Sequence, residues 1–470
     1  MHRTILLLLV FASQFCSAQK QDNNWVFGHH AGLNFDLALP QPFTSGIYSV
    51  EDCASISDSS GQLLFYTNGV NVYNRLGQMM PNGDSLATGF QWQYGADAPQ
   101  SVVILPAPGD AQLYYLFTRS DSALSYSIID MALDGFNGDL SVKNQLLYNN
   151  PVQRFMTAIK HGNGVDWWLI THGLGEKFLA WRLSSSGIDT LVTTSIGLDY
   201  NYAGENSDVE LVSNLQGTKL AFASSLGIHL VDFDRCHGSF SNFDTIPLPE
   251  TPYSFAFSPH GTKLYFTFHY NQFPTFLKQL CLDCGGALDS SIKEIYNDYN
   301  LDYNLSQIQN GPDGKIYVAM SYWWATDTLT DIYNLNLSVI NDPDQLGIDC
   351  NFDTATISLG GNYSIVGLPN SPYYNMPPVA GECNDTIATF LQMPDENAGV
   401  LYPNPADGEF KITISTDHAL ISIIDVCGRK VLEQNYRKNE MINVAHLENG
   451  VYNVEIKSGN KVSYTKLVKL

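Results

Sequence analysis

The sequence predicts an all-β protein: a β-propeller, for which seven blades fit the spacing better than six, followed by a small C-terminal β-sandwich. Three observations carry this. The composition, 15% charged and 12% aromatic with 37 Gly and 26 Tyr, suits turn-punctuated strands and not a disordered chain. A strand–turn–strand pattern returns about every fifty residues through the first three quarters of the chain. From residue 400 onward, apolar and polar residues alternate with the period of half-buried strands. At 470 residues the chain is too long for one ordinary domain. We divide it into an export signal (1–18), a propeller (19–370), a linker (371–398) and a sandwich (399–470).

The chain opens MHRTILLLLVFASQFCSA, with His2 and Arg3 ahead of an apolar run at 5–11 and small residues before Gln19. That is the layout of a secretory signal cleaved after Ala18, and the run is too short to span a bilayer. Acylation at Cys16 would need a small residue where Phe15 stands. No later stretch reaches the ~18 apolar residues of a membrane helix. The Sec translocon is therefore the expected first partner, and the periplasm the first destination.

Six segments of the body share one plan: a short apolar strand, a polar turn holding Gly, then a strand rich in Leu, Tyr and Phe. They read CASISDSSGQLLFYTNG, SVVILPAPGDAQLYYLFT, TAIKHGNGVDWWLITHG, DVELVSNLQGTKLAFASS, SFAFSPHGTKLYFTFHY and SQIQNGPDGKIYVAMSY. Their turn glycines are Gly61, Gly109, Gly164, Gly217, Gly261 and Gly314. A unit of this size holds three or four strands and cannot bury both faces alone; stacking such units around an axis covers them. NNWVFGHHAGLNFD, at 23–36, reads as a hairpin turning at 29–32. If late strands near 357–365 complete its blade, the ring closes with seven. SPHGTKLYF and GPDGKIYVA resemble the SPDGxxLYF motif of WD40-like and lactonase-like β-propellers, which implies a fold and little about activity. The opening of the body, with ISDSSGQLLFYTNGVNVYNRLG and FDRCHGSF, also looks like a group of exported bacterial propeller proteins that often carry C-terminal sorting modules.

LPNSPYYNMPPVAGECNDT, rich in Pro, Asn and Gly, marks the linker. Beyond it, Phe410, Ile412 and Ile414 alternate with Lys411 and Thr413, and Tyr452, Val454 and Ile456 with Asn453, Glu455 and Lys457. Several short alternating strands in ~70 residues make a small sandwich. Four motifs punctuate it: Tyr402, Pro403, Asn404, Pro405 with Gly408; the turn D-V-C-G-R at 425–429 holding Gly428 and Arg429; L-E-N-G-V-Y at 447–452 with Asn449, Gly450 and Tyr452; and the closing K-L-V-K, Lys466 to Lys469. In order and spacing these resemble the C-terminal sorting domain of type IX secretion in Gram-negative bacteria. That resemblance implies recognition by the type IX secretion machinery, and a protein that is secreted or held at the cell surface on the outer membrane.

Charge narrows the partners further. Residues 399–470 carry nine basic and eight acidic side chains, whereas the body, without Arg3, carries 14 and 39. Such a surface repels phosphate backbones, so nucleic acid is not an expected partner. Signal cleavage leaves seven cysteines, Cys53, Cys236, Cys281, Cys284, Cys350, Cys383 and Cys427. An oxidising compartment favours disulfides among them, and a disulfide or loop bridge is preferred over a metal for CLDC at 281–284.

No catalytic motif of specific spacing is present: no G-x-S-x-G, H-E-x-x-H or phosphate loop. No cofactor is expected. Calcium is the one ion that DPDQLGID at 342–349 suggests, and that stretch lacks the twelfth-position Glu of a calcium loop. His29 and His30 read as part of a hairpin tip. First strands line a propeller's channel, and the residues just before them surround its mouth. Here those are Glu51, Asp52, Gln100, Arg154, Asp208, Glu210, Tyr253 and Gln307. Acidic, amide, Arg and Tyr groups converging on one funnel would suit a glycan or protein ligand. The alternative is an extracellular hydrolase or lyase acting on polysaccharide, for which two carboxylates must lie ~5–10 Å apart.

Overall fold

All six repeat glycines have positive φ, between 69° and 95°, the backbone conformation that side chains resist and Gly accepts. Five of the turns close alike, with the Gly N–H donating to the carbonyl three residues earlier: Gly61 to Asp58, Gly164 to His161, Gly217 to Asn214, Gly261 to Ser258 and Gly314 to Gly311. Each turn thus fixes a hairpin between the first and second strands of a sheet.

The structure is a computed structural model that describes residues 20–87, 91–92, 95–96, 100–202, 209–268, 275–298, 304–321, 332–379, 383, 400–413, 416–424, 430–447, 449–458 and 461–469. It falls into two compact units, Met1–Cys383 and Asn384–Leu470. No helix among the described residues is long and apolar enough to cross a membrane.

The first unit is a β-propeller whose seven antiparallel sheets of three or four strands follow chain order, with a two-stranded hairpin, Gln91–Trp92 and Gly95–Ala96, between the second and third in the chain. Sheets one and two have three strands each: Asn24–Phe27, His29–Asn34 and Gln41–Tyr48, then Ala54–Ser57, Leu63–Thr67 and Val72–Asn74. Sheets three to seven have four each. They start at Val102–Pro106, Thr157–Lys160, Val212–Ser213, Ser254–Phe257 and Asn304–Asn310, and they end at Asp139–Tyr148, Gly187–Tyr200, Ser239–Pro247, Ile292–Asp298 and Phe352–Ser358. Burial follows strand position. Asn24–Phe27, Ala54–Ser57, Thr157–Lys160 and Ser254–Phe257 are buried at every residue, while outer strands such as Gly187–Tyr200 are mostly exposed or half-buried.

Neighbouring sheets share apolar cores. One joins sheets two to four through Phe65, Leu116 and Trp167; another joins four to six through Ile170, Phe222 and Phe257. Sheet six meets seven through Tyr265 and Ile316. The ring closes where Trp25 and Phe27 of sheet one pack with Tyr317 and Leu337 of sheet seven and Tyr66 of sheet two, the Trp25 and Tyr317 rings lying edge to face at 5.4 Å.

Closure differs in detail from the sequence reading. The first hairpin turns at 28–30, not 29–32, because Gly28 and His30 take the positive φ values and Phe27 pairs with Ala31. Residues 352–358 form the outer strand of sheet seven and do not complete sheet one. From that side Tyr363 exchanges backbone hydrogen bonds with His29 at 2.8 and 3.2 Å, Asn362 Nδ2 donates to Thr44 Oγ1 at 3.2 Å, and Leu359 joins the core of sheet one.

The stretch expected as a linker also begins differently. Residues 366–379 lie against the first strands of several sheets. Asn370 alone touches three: its N–H donates to the Cys53 carbonyl, and its Nδ2 to the carbonyls of Val102 and Met156 at 2.8 and 3.2 Å. The segment thus runs along the first strands, from their beginnings at Asn370 to the turns that follow them, where the Val379 N–H donates to the Gly162 carbonyl. Tyr374, fully buried, donates to the Ile104 carbonyl, and Lys160 Nζ donates to the Tyr374 carbonyl. The prolines remove backbone donors that regular strand pairing would need, and side-chain hydrogen bonds help hold the segment in place. Cys383 then forms a disulfide with Cys236 of sheet five. A second disulfide joins Cys281 to Cys284, so the group Cys281, Asp283 and Cys284 has its sulfurs bonded to each other. Cys53 and Cys350 are buried thiols.

The second unit is a β-sandwich. One sheet pairs Val400–Tyr402, Glu409–Thr413 and Ile442–Asn443; the other pairs Lys430–Arg437, His418–Ile424, Gly450–Ser458 and Lys461–Lys469. Its core holds Phe410, Ile412, Ile421, Ile423, Tyr436, Val454 and Leu467. Tyr436 crosses it: its hydroxyl donates to the Ile412 carbonyl at 2.7 Å and accepts the Ile412 N–H at 2.9 Å.

Candidate functional site

The mouth residues sit where first strands begin, and most are buried and occupied. Gln100, before sheet three, reaches across to sheet five: its Nε2 donates to the Leu211 carbonyl at 3.1 Å, and its Oε1 accepts the Leu211 N–H at 2.8 Å. Gln307 Oε1 accepts the N–H of Leu368. Glu51 and Tyr253 are buried, at 8% and 4% exposure. Asp208 lies outside the described residues.

The two described carboxylates of greatest interest go to different neighbours. Glu210 accepts hydrogen bonds from Ser254 Oγ and from the Phe255 N–H of sheet six. Burial pushes its pKa up to about 8, only partly offset by those donors. Asp52 is 1% exposed. Its oxygens reach no donor in regular hydrogen-bond geometry, although Arg119 and the Ser101 and Val102 amides lie close enough to oppose the effect of burial. Burial wins, and the carboxyl is pushed up to about 8. The same burial, with Asp52 beside it, holds the Cys53 thiol well above its usual pKa, which is unlike an activated nucleophile.

Arg154 belongs to a charge chain that the sequence did not disclose. It makes a two-pronged pair with Asp121, at 3.1 and 2.9 Å. Arg119, 2% exposed, lies 3.8 Å from the same carboxylate and donates to Ser101 Oγ at 3.0 Å. The pair of arginines holds the Asp121 carboxyl below its usual range, led by the Arg154 hydrogen bond. Arg119 and Asp121 carry no motif. What marks them is position, at the end of a second strand whose first strand starts at the mouth.

Open space lies elsewhere. A cleft of about 540 Å³ runs between sheets one and two, lined by Asn24, Asn34, Phe43, Tyr66 and Arg75 among others. On the sandwich, a shallow depression of about 630 Å³ is edged by His418, Asn435, Arg437 and Glu440.

In the sandwich, Asn404 of the first motif and Gly450 and Tyr452 of the third meet the closing strand. Asn404 Nδ2 donates to the Lys466 carbonyl at 2.7 Å, and Asn404 Oδ1 accepts the Val468 N–H at 2.8 Å. Gly450 pairs with Lys469, and Tyr452 with Leu467. The Gly408 carbonyl accepts from Val444. Pro403 and Pro405 flank Asn404 and are exposed, as are Asn449 and Lys466, while Lys469 is buried. Tyr402 is 67% exposed, with Lys411 Nζ 5.9 Å from its ring centre. Gly428 and Arg429 lie outside the described residues.

Residues 400–470 match the family model described as a secretion system C-terminal sorting domain. No curated protein matches the chain significantly. Among solved structures, a candidate 6-phosphogluconolactonase from Bacteroides uniformis is similar at TM-score 0.43 and 10% identity, covering 72% of this chain and 98% of that one. Hsv2p from Kluyveromyces lactis gives 0.38 and 10%, with 70% and 93% covered. TolB from Acinetobacter baumannii gives 0.33 and 12%, with 70% and 68% covered. Similarity at this level carries nothing about activity.

Proposed function

We propose that this protein is an exported cargo of the type IX secretion system whose propeller is a non-enzymatic binding body for glycan or protein, displayed at the cell surface or released. The observation that carries the export reading is the sorting-domain match over 400–470, in a unit that folds around its own core. The residues at 1–18 would take the chain through Sec to the periplasm, and the sandwich would then be read by the outer-membrane machinery. Binding is favoured over hydrolysis by the state of the mouth. Glycosidase chemistry needs two carboxylates facing one accessible substrate, whereas Asp52 and Glu210 are buried and directed to different sheets. Residues 366–379 also lie against the first strands, which a funnel ligand would have to approach.

Two experiments test this. Deleting 400–470 in a host with this secretion system should leave the protein in the periplasm, and normal surface display of the deletion would refute the export reading. A glycan array and a polysaccharide hydrolysis screen on the purified protein should give binding without turnover. Turnover abolished by Asp52→Asn or Glu210→Gln would instead establish the hydrolase.

A further inference from the structure

The propeller has little positive charge, and nearly all of its described arginines are held. Arg119 and Arg154 serve Asp121, Arg182 pairs with Asp166, and Arg235 donates to the carbonyls of Lys160, Gln216 and Pro377. Arg75 differs. It is exposed, it lines the cleft between sheets one and two, and it has no acceptor among the described residues. A guanidinium is a rigid planar donor whose best partner is a carboxylate or phosphate taken two-pronged. Left unmatched on a cleft wall in a strongly acidic body, it is the natural anchor for an anionic group brought by a ligand.

The rest of the cleft says what else the ligand must be. The outer strand of sheet one, Gln41–Tyr48, forms one wall, and residues 75–77 after the outer strand of sheet two form the other. Gly46 and Gly77 let the walls approach: a Cβ on Gly46 would lie 2.6 Å from the Gly77 carbonyl oxygen. At this closure Tyr66, 1% exposed, accepts the Gly46 N–H at 2.8 Å, and its own hydroxyl proton has no acceptor among the described residues. Phe43 packs one ring face over Gly32 and also lines the cleft. An aromatic surface, a hydroxyl donor and a lone guanidinium in about 540 Å³ match a pyranose, with its apolar C–H face, its hydroxyls and one carboxylate. A ligand with several phosphates would meet repulsion from the acidic body that a single guanidinium does not offset.

We propose that this cleft binds a saccharide bearing one carboxylate, of the uronic-acid class, with Arg75 holding the carboxylate. The proposal rests on the binding-body reading and names the ligand class for it. The test uses the mature full-length protein and two probes, an oligosaccharide ending in a single glucuronate and the same oligosaccharide ending in glucose, with affinity read by calorimetry. The glucuronate probe should bind at least about tenfold more tightly than the glucose probe, as one charged hydrogen-bond pair allows. Arg75→Gln should remove that advantage, Arg75→Lys should restore part of it, and Phe43→Ala should weaken both probes. Melting curves matching the parent would show that each variant is folded. Unchanged glucuronate affinity in Arg75→Gln would overturn the assignment of the cleft while leaving glycan binding intact. Binding of neither probe would overturn the proposal, and a glycan array that then reported a different ligand would keep the binding body. An empty array would count against both.

Discussion

Asn404 and Val468 stand 64 residues apart and are joined directly, the Val468 N–H donating to Asn404 Oδ1 at 2.8 Å. The same side chain donates to the Lys466 carbonyl, so one asparagine at the start of the sandwich clamps one edge of its final strand at two residues. The opening and closing motifs of the sorting domain are therefore one structural feature. Asn404→Ala should cost the sandwich about 1 kcal/mol, the net worth of a pair of exposed hydrogen bonds. The melting transition that disappears on deleting 400–470 should shift down by several degrees, and export should fall with it. A full-length variant with that transition unmoved would refute the clamp.

The two disulfides should differ sharply in effect. Cys236–Cys383 spans 147 residues and ties the end of the inner segment to sheet five, whereas Cys281–Cys284 spans 3. Loop-closure entropy rises with the enclosed length, so Cys236→Ser with Cys383→Ser should lower propeller stability by about 2–5 kcal/mol. Cys281→Ser with Cys284→Ser should cost clearly less. Melting temperatures with and without reductant would read both, and equal losses would argue against this ordering.

Gly367 sets how closely the inner segment can lie. A Cβ there would be 1.6 Å from the Glu51 carbonyl oxygen, while the Gly367 N–H donates to the Val50 carbonyl at 2.9 Å. Gly367→Ala must displace backbone on one side or the other, at about 3 kcal/mol. The expected sign is new proteolytic cleavage within 366–379 in a protein whose sheets remain folded. Retained resistance there would show that the segment is not packed as described.

The Glu210 carboxyl supplies a pH test. Its pKa is pushed up to about 8 in the folded state, from an ordinary value of 4.5. Between those values the folded chain keeps a proton that the unfolded chain releases. This contribution to stability is complete below pH 4.5, is lost as pH rises toward 8, and is flat beyond. One such group changes stability by at most about 1.4 kcal/mol per pH unit within the window. Glu210→Gln retains an oxygen for Ser254 Oγ and should flatten the decline of Tm between pH 5 and 8. A variant with the parent's pH profile would contradict the buried, proton-holding carboxyl.

The division between what was legible and what was not follows the range of the interactions. The turn glycines were readable because positive φ is a local demand that few residues other than Gly meet. The sandwich was readable from strict alternation, since a half-buried strand must alternate. The starts of the first strands were legible from the repeat, yet the surroundings of the residues there were not. Nothing near Glu210 announces Ser254, 44 residues on, and nothing near Gln100 announces Leu211, 111 residues on. The Pro- and Asn-rich stretch after residue 370 reads as a linker because it has no period. Its hydrogen bonds go to residues as much as 270 positions earlier.

By itself, then, the sequence determined the repeating strand unit, the separate terminal sandwich and its sorting motifs, all set by neighbours within a hairpin. Only the tertiary structure decided that Glu51, Asp52 and Glu210 are buried, that residues 366–379 lie against the first strands, and that Arg75 is left facing an open cleft. Those outcomes depend on which distant groups remain to pair with once the ring has closed, a condition that composition and periodicity do not encode.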